Sequence, residues 1–425
     1  MAQTYVIVGA SIAGVTAAET IRSQCDDRVV LIDPDQDAPY DKTVLSKEAL
    51  TADEMPSIGL RPSGHLEALG IDVRHGVAAT SLDGTAKTIL LSDGSSLQYD
   101  RLLIATGAAP VLRFPVDDPG RVHTVRTRDD ALRLRAAARE SRHVAVIGAG
   151  LIGCEIASAA RYLGLEVTLV DFDSGPFLRA FGQEVSEDIA DIQRNAGVRH
   201  IFGSAVNQIT PASSGTAPGV GVQLSNGLEV TADLAVVGTG VTPNVQWLLD
   251  SGAEIANGLV CDERLKTSLP DVFAAGDVAC WPGGPMGRSV RLEHWSNAAE
   301  QGAGAALSML SPDPAGEPWS APTPHFMTTL HGHRIAAMGH TSGTEDKSRV
   351  VTVRGSGGRG FCALYEEGGE LVGCLTIDQP RLAVRLRAHI ETRNSWKNAM
   401  ELAGEALGGL TQSETRKEVE HVTRN

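Results

Sequence analysis

A chain of 425 residues is too long for one hydrophobic core, so two or three domains are expected, and a hydrophobic share of 42% is ordinary for a globular protein in water. The net charge of −15 comes without any Lys/Arg block, which argues against nucleic acid as a partner, and no apolar run reaches the roughly 20 residues of a membrane span. The six cysteines form no C-x-x-C or C-x-x-x-x-C pair, which excludes a local redox dithiol and a zinc knuckle, so no metal is expected and the thiols should be buried and reduced. No charged-then-apolar leader opens the chain, and a cytoplasmic location is expected.

The first expected strand, Tyr5–Val8, runs into Gly9, Ser11 and Gly14. A helix from about Ile12 to Ser23 follows, then a strand from Arg28 to Ile32 that ends in Asp33. This segment closes at "RLLIATGAAP", a strand from Leu102 to Ala105 broken at Thr106-Gly107 and Pro110. The charged helical stretch "TRDDALRLRAAARESR" leads to a second copy of the plan. Strand His143–Ile147 meets Gly148, Gly150 and Gly153, a helical pattern runs through Ile152, Ile156, Ala159 and Ala160, and strand Glu166–Val170 ends in Asp171. A helix near Val185–Asn195 and a hairpin tip in "TPASSGTAPGVG" come next, and "LAVVGTGVTPN", with Gly238 and Gly240, closes the segment much as the first was closed. Strand Val272–Ala274 then precedes Gly276 and Asp277, and a helix with small residues on one face starts near Trp295. From about Pro322 the pattern becomes short strands, including a hairpin turning at Gly368-Gly369, followed by helical stretches and a polar tail after about Gly409 that should be mobile.

A glycine triplet alone is weak, because 46 glycines give about half a G-x-G-x-x-G by chance. Context decides: strand, tight turn, helix, strand and a closing acid about 20 residues on form a dinucleotide-binding unit. Gly148 makes the turn, Gly150 lets the backbone approach a pyrophosphate, Gly153 lets helix and strand close-pack, and the helix N-terminus faces the phosphates. Asp171 can accept from a ribose 2′-hydroxyl. The first unit departs at Ser11, the next smallest polar choice. Two such units imply two dinucleotides, and two dinucleotides imply hydride passing between them.

In order, "VIVGASIAGVTAAETIR", "PYDKTVLSKEAL", "LLIATGAAP", "VAVIGAGLIGCEIA", "VVGTGVTPN", "DVFAAGDVA", "RLEHWSNAAEQG" and "PRLAVRLRAHIE" resemble the FAD-dependent, NADH-using ferredoxin reductases of Rieske-type oxygenases and bacterial haem-thiolate monooxygenases. The resemblance implies an α/β fold of two Rossmann-like dinucleotide-binding domains plus a small α+β C-terminal interface domain. It implies boundaries of 1–110 and 241–321 for the FAD domain, 111–240 for the NAD domain and 322–425 for the interface domain. Gly9, Ser11 and Gly14 would hold the FAD pyrophosphate and Asp33 the adenosine ribose, with Asp35 a nearby rival. Ala105, Thr106, Gly107, Gly238, Gly240 and Gly276 join the cofactor-binding set. Asp277 would accept from the ribityl chain, and the helix start at His294 and Trp295 would aim N–H groups at the flavin's pyrimidine edge. Lys47 would lie by the isoalloxazine ring. Glu155 would contact the nicotinamide amide and pair with Lys47, these two being the catalytic candidates. Asp171 would repel the 2′-phosphate of NADPH, and no arginine follows it immediately in "DFDSGPFLR", so NADH is expected. The implied partner is a [2Fe–2S] ferredoxin, and through it a Rieske oxygenase or haem monooxygenase; the reductase would be a monomer or homodimer. The acidic chain would meet an acidic ferredoxin through local positive charge at Arg288, Arg291, Arg334, Arg393 and Lys397, the last two in a C-terminal helix.

Two departures stand out. Lys42-Thr43-Val44 stands where the resembled family usually has Arg-Pro-Pro, keeping a charge for phosphate without the bidentate fork. Met327 to Leu330 stands where the resembled family commonly has an aromatic-Trp-Ser-Asp-Gln run, which the resemblance would place on the flavin face where electrons leave. That change keeps two rivals open: a reductase or oxidase of a small acceptor such as a quinone or dioxygen, and a redox-sensing flavoprotein.

Overall fold

Two parallel five-stranded sheets with the same strand plan and one antiparallel sheet organise the molecule, seen here in a computed structural model that describes residues 2–213, 219–282, 289–311, 323–341, 349–355, 360–408 and the backbone of 412–414. In the first sheet the glycine-leading strand Thr4–Val8 is central. Arg28–Asp33 and then Asp72–His75 lie on one side; Arg101–Ile104 and then Val272–Ala274 lie on the other. The second sheet repeats the arrangement around His143–Ile147, with Glu166–Val170 and Val198–Ile201 on one side and Leu234–Val237 and Val122–His123 on the other. All these pairings are parallel, and the strands read as near-continuous Val/Ile/Leu runs because parallel strands are covered on both faces. Val272–Ala274 joins the first sheet after the whole second unit, so the second unit interrupts the first. The two crossings between units, Ala108–Pro110 and Val241–Pro243, pair with each other antiparallel.

The small-residue face expected after Trp295 has a packing reason. Helix Trp295–Leu310 crosses helix Ile12–Gln24 so closely that a Cβ on Gly302 would sit 2.2 Å from the Ala13 carbonyl oxygen. The charged stretch forms helix Arg128–Arg139, started by a capping box in which Thr127 and Asp130 each bond the other's backbone N–H.

The third sheet orders His325–Leu330, His333–Gly339, Glu370–Ile377, Phe361–Glu367, Arg349–Arg354 and Gln412–Glu414, all antiparallel. Its expected hairpin turns at Gly368 and Gly369, at φ +63° and +88°, the left-handed pair a two-residue turn needs. Both faces are covered. Cys362 and Leu364 point toward helices Pro380–Glu391 and Trp396–Leu407, while Phe361, Ala363 and Tyr365 share a core with the second unit. The first unit's core contains no residue of this sheet. The expected hairpin of "TPASSGTAPGVG" is flanked by paired strands Val206–Pro211 and Val220–Leu224, but its tip at 214–218, and the tail after Gly409 apart from 412–414, lie outside the described residues.

Candidate functional site

The two glycine units are built alike down to single hydrogen bonds. Gly9 N–H donates to the Ile32 carbonyl at 2.7 Å and Gly148 N–H to that of Val170 at 2.8 Å. The closing acids turn back on the loops they face: Ala10 N–H donates to Asp33 Oδ2 and Ala149 N–H to Asp171 Oδ2, while Asp35 N–H and Asp173 N–H bond the other oxygen, each at 2.8 Å. A Cβ on Gly14 would lie 1.8 Å from the Gly9 carbonyl oxygen, and one on Gly153 would lie 1.8 Å from that of Gly148. Ser11 and Gly150, the N-caps of the two helices, share extended backbone at φ −83° and −80°, and a Cβ on Gly150 meets nothing within 4 Å. Serine is therefore accommodated at this position for a structural reason: the protein leaves it open on the cavity side. Ser11 makes no side-chain bond to its first turn and Gly150 has no side chain to make one, so the helix N–H groups remain for an anion.

A cavity of about 500 Å³ opens from Ser11 at the first unit. Lys42, Arg126 and Lys47 line it, as do Gly276, Asp277 and the helix start at His294 and Trp295. Lys42 lies over the Tyr40 ring at 5.4 Å, and burial, together with the Arg126 charge, lowers its pKa. Arg126 reaches Asp277 Oδ2 at 3.3 Å. Gly276 N–H donates to the buried Gln301 side chain at 2.8 Å, fixing the turn that presents Asp277. Asp35 instead accepts from Tyr40 Oη at 2.6 Å. His294 Nδ1 is buried and has no hydrogen-bond partner among the described residues, and burial lowers this ring's pKa.

At the floor of the cavity Glu155 is 3% exposed, and three donors from two other parts of the chain hold its carboxylate. Lys47 Nζ is 2.9 Å from Oε1, Thr328 Oγ1 donates to Oε1 at 2.6 Å, and Ser46 Oγ donates to Oε2. Lys47 also donates to the Thr43 carbonyl at 2.9 Å, so of its three N–H bonds one remains for a ligand. This clamp ties the loop after the first unit, the second unit's helix Leu151–Tyr162 and strand His325–Leu330 together. An uncompensated buried carboxylate would cost several kcal/mol, so the donors are a requirement of its placement.

Two further cavities, of about 650 and 620 Å³, meet at Gly150 and Asp171 of the second unit, and Gly238 and Gly240 line the smaller. Burial raises the pKa of Asp171. The larger shares a wall with the first-unit cavity, formed by Leu151, Glu293, His294 and Phe326. Aromatic rings run through this wall: Phe177 on Phe181 at 5.3 Å, Phe181 on Phe326 at 5.8 Å, and Phe326 against His294 at 5.4 Å.

Ala105 and Gly107 line the first cavity, whereas Thr106 turns away and donates to the Asn244 carbonyl at 3.0 Å, joining the two inter-unit crossings. Sequence reasoning missed Arg126, Ser46 and Thr328, whose partners lie more than a hundred residues away, and also Arg179, which folds back on Asp173. Of the cations expected to face a ferredoxin, Arg291 is corrected. Its side chain is 7% exposed and is spent on Glu293 at 2.8 Å and the Asp277 carbonyl at 3.2 Å. Arg393 is exposed but follows helix Pro380–Glu391 instead of lying within a helix, and Arg288 lies outside the described residues. Arg334 and Lys397 are exposed. All six cysteines are free, and no metal-ligand cluster occurs among the described residues.

This pairing of two dinucleotide units defines a class, and residues 3–302 match the family model described as pyridine nucleotide-disulphide oxidoreductase. The chain belongs to that family and is an oxidoreductase. It is similar to the ferredoxin--NAD(+) reductase component of the anthranilate 1,2-dioxygenase system of Burkholderia cepacia, 33% identical over 87% of this chain and 89% of that one. It is also similar to rhodocoxin reductase of Rhodococcus erythropolis, 32% identical over 89% of this chain and 87% of that one. Among solved structures, the covalent putidaredoxin reductase–putidaredoxin complex matches with a TM-score of 0.84 at 26% identity, covering 96% of this chain and 99% of that one. No helix among the described residues is long and apolar enough to cross a membrane.

Proposed function

We propose that this chain is an NADH-dependent, FAD-containing reductase that passes electrons to a [2Fe–2S] ferredoxin serving an oxygenase. The observation that carries the reading is the wall shared by the first-unit and second-unit cavities at Leu151, Glu293, His294 and Phe326, which brings two dinucleotide sites face to face. On this reading residues 1–110 and 241–321 form the FAD domain, 111–240 the NAD domain and 322–425 the interface domain. The first cavity fits FAD: it offers an uncapped helix N-terminus at Ser11, two cations for a diphosphate in Lys42 and Arg126, and an orphaned buried nitrogen at His294. When bound, FAD supplies a ring that takes hydride from NADH and releases electrons singly.

The chain's own residues then have separable tasks. Gly9, Ser11 and Gly14 let the backbone N–H groups approach one pyrophosphate; Gly148, Gly150 and Gly153 do so for the other. Asp33 and Asp171 accept from the two adenosine riboses while bracing their loops. Asp277, fixed by Arg126 and the Gln301-held turn, accepts from the ribityl hydroxyls. The helix start at His294 and Trp295 stabilises negative charge on the nearby ring edge. Lys47, oriented by Glu155 and Thr43, presents one N–H to the ring; Ser46 and Thr328 hold Glu155 in place for this.

Electrons would leave past Met327, which is 67% exposed at the cavity. Thr329 and Arg334 are cross-strand partners, and the face they share with Met327 is also the face on which helix Pro380–Glu391 packs. Arg387 of that helix reaches His325 at 3.4 Å but is paired with Glu391 at 2.8 Å, so the positive charge this face offers an acidic ferredoxin rests on the exposed Arg334. A cytoplasmic monomer or homodimer completes the proposal. The exposure of Met327 also favours a second reading, direct reduction of a small acceptor. Mixing the anaerobically NADH-reduced protein with a [2Fe–2S] ferredoxin, a quinone or dioxygen separates the readings. Ferredoxin should react fastest, and its rate should fall as salt shortens the Debye length from about 10 Å toward 3 Å. A ferredoxin rate indifferent to salt and below that of quinone or dioxygen would transfer the assignment to the small acceptor. Slow turnover with every acceptor would make the protein a sensor.

A further inference from the structure

At the adenosine end of the second-unit cavities, the arginine that the sequence places eight residues after Asp171 comes back into reach. Arg179 lies in the short helix Leu178–Phe181, and with Asp171 and Asp173 it lines both second-unit cavities. Its Nε is 3.0 Å from Asp173 Oδ2, and its guanidinium lies 4.4 Å over the Phe172 ring, which fixes the plane of the fork. The side chain is still 66% exposed, against 23% for Asp173. We propose that Asp173 sets the preference for NADH jointly with Asp171, by occupying Arg179, which is otherwise a receptor for a ribose 2′-phosphate. This rests on the reading of the second unit as the NADH site.

Two carboxylates at one ribose repel a phosphate dianion, so the wild-type site rejects the 2′-phosphate even though a guanidinium stands beside it. Arginine binds phosphate through two parallel N–H bonds, and stacking on Phe172 has already restricted the side chain, so little order remains to be imposed. An exposed arginine–carboxylate pair contributes little stability, so removing the Asp173 charge releases Arg179 at small cost to the fold. The backbone of the turn does not depend on that charge. Asp173 N–H donates to Asp171 Oδ1 at 2.8 Å, and the Asp173 carbonyl accepts from Gly203 N–H at 2.9 Å. Asp173→Asn keeps both bonds.

The test is calorimetric titration of the FAD-loaded protein with two redox-silent probes, ADP-ribose and 2′-phospho-ADP-ribose. Wild type should bind ADP-ribose at least about tenfold tighter than the phosphorylated probe. Asp173→Asn should gain about tenfold or more for the phosphorylated probe while ADP-ribose changes by less than about threefold, the step worth one good ionic contact. Adding Arg179→Gln should abolish that gain. Asp173→Ser, with a shorter neutral side chain, should reproduce the gain and guards against a folding defect peculiar to asparagine. Normal ADP-ribose binding with no gain in either variant, or a gain that survives loss of Arg179, overturns the proposal alone. Failure of the FAD-loaded wild type to bind either probe overturns the NADH-site reading and the proposal together.

Discussion

The first and second units share strand order, register, the loop-to-acid hydrogen bonds and a helix seated on the preceding carbonyl, yet their cavities place cations differently. In the first, Lys42, Arg126 and Lys47 stand among the acids Asp41, Glu155, Asp277 and Glu293, Lys47 being paired with Glu155 and Arg126 with Asp277; in the second, Asp171 and Asp173 line the adenosine end with Arg179 paired to Asp173. The coverings differ too. The second unit shares its core with the antiparallel sheet and is pinned to it by Asp188–Arg354 at 2.6 Å, by Gln193–His331 at 2.7 Å and by Glu155–Thr328 at 2.6 Å, whereas the first has a core of its own. The shared features are those that any pyrophosphate demands. On the proposed assignment, Lys42 and Arg126 serve a resident diphosphate in the first cavity, and Asp171 with Asp173 faces an unphosphorylated ribose that comes and goes in the second.

The sharpest break in the comparison should come from the glycines with no room for a side chain. Gly14→Ala and Gly153→Ala each place a Cβ 1.8 Å from a backbone carbonyl oxygen, which no rotamer relieves. Each should cost at least about 3 kcal/mol by denaturant unfolding. The two should differ in kind: Gly14→Ala should lose flavin, whereas Gly153→Ala, at temperatures where it folds, should keep flavin and lose NADH reduction.

A smaller effect is expected at the three-way clamp. Thr328→Val and Ser46→Ala each leave the buried Glu155 carboxylate one donor short, at about 1–3 kcal/mol. Thr328→Ser should restore most of the loss, because it keeps the hydroxyl. An unchanged unfolding midpoint in both variants would remove the clamp as a link between the units.

The pin at His331 makes a pH test. Burial lowers this ring to about 4, below its ordinary 6.5, so between those values the unfolded chain binds more protons than the folded one. Stability should therefore be fully present above about pH 6.5 and fall as pH drops toward 4, by at most ~1.4 kcal/mol per pH unit from this single group. His331→Gln should flatten the acid limb of the melting profile; an unaltered limb would assign acid sensitivity elsewhere.

The smallest effects belong to the turn position where the units differ. Gly150→Ser and Ser11→Gly should each change stability by no more than about 0.5 kcal/mol, because the backbone is extended and the space open. A large loss at Gly150→Ser would make that glycine a packing residue.

The sequence-to-structure comparison divides along contact range. The units were legible because each is a local pattern of strand, turn, helix and acid within about thirty residues, and strand His143–Ile147 and strand Glu166–Val170 fall where β-branched runs and turn residues put them. The hairpin at Gly368-Gly369 was legible for the same reason. Lys47 and Glu155 came from the resemblance. Ser46 and Thr328 did not come at all, since a hydroxyl that saturates a carboxylate 109 or 173 residues away leaves no local signal. Arg126 sits between units and acts across 151 residues on Asp277. Arg291 was misread because positive charge in a sequence says nothing of exposure, and here the guanidinium braces a turn. Arg179 leaves no signal next to Asp171, because only the folded turn carries the chain back over Phe172.

On the proposed assignment one unit keeps FAD and the other receives NADH, with no further redox group. That assignment is tested most directly by dialysing the purified protein and titrating it anaerobically with NADH. About one FAD should be retained per chain and about one NADH, that is two electrons, should reduce the flavin completely, consistent with six free cysteines and no dithiol beside the site. FMN or no flavin after acid release, or an endpoint of about four electrons, would contradict it.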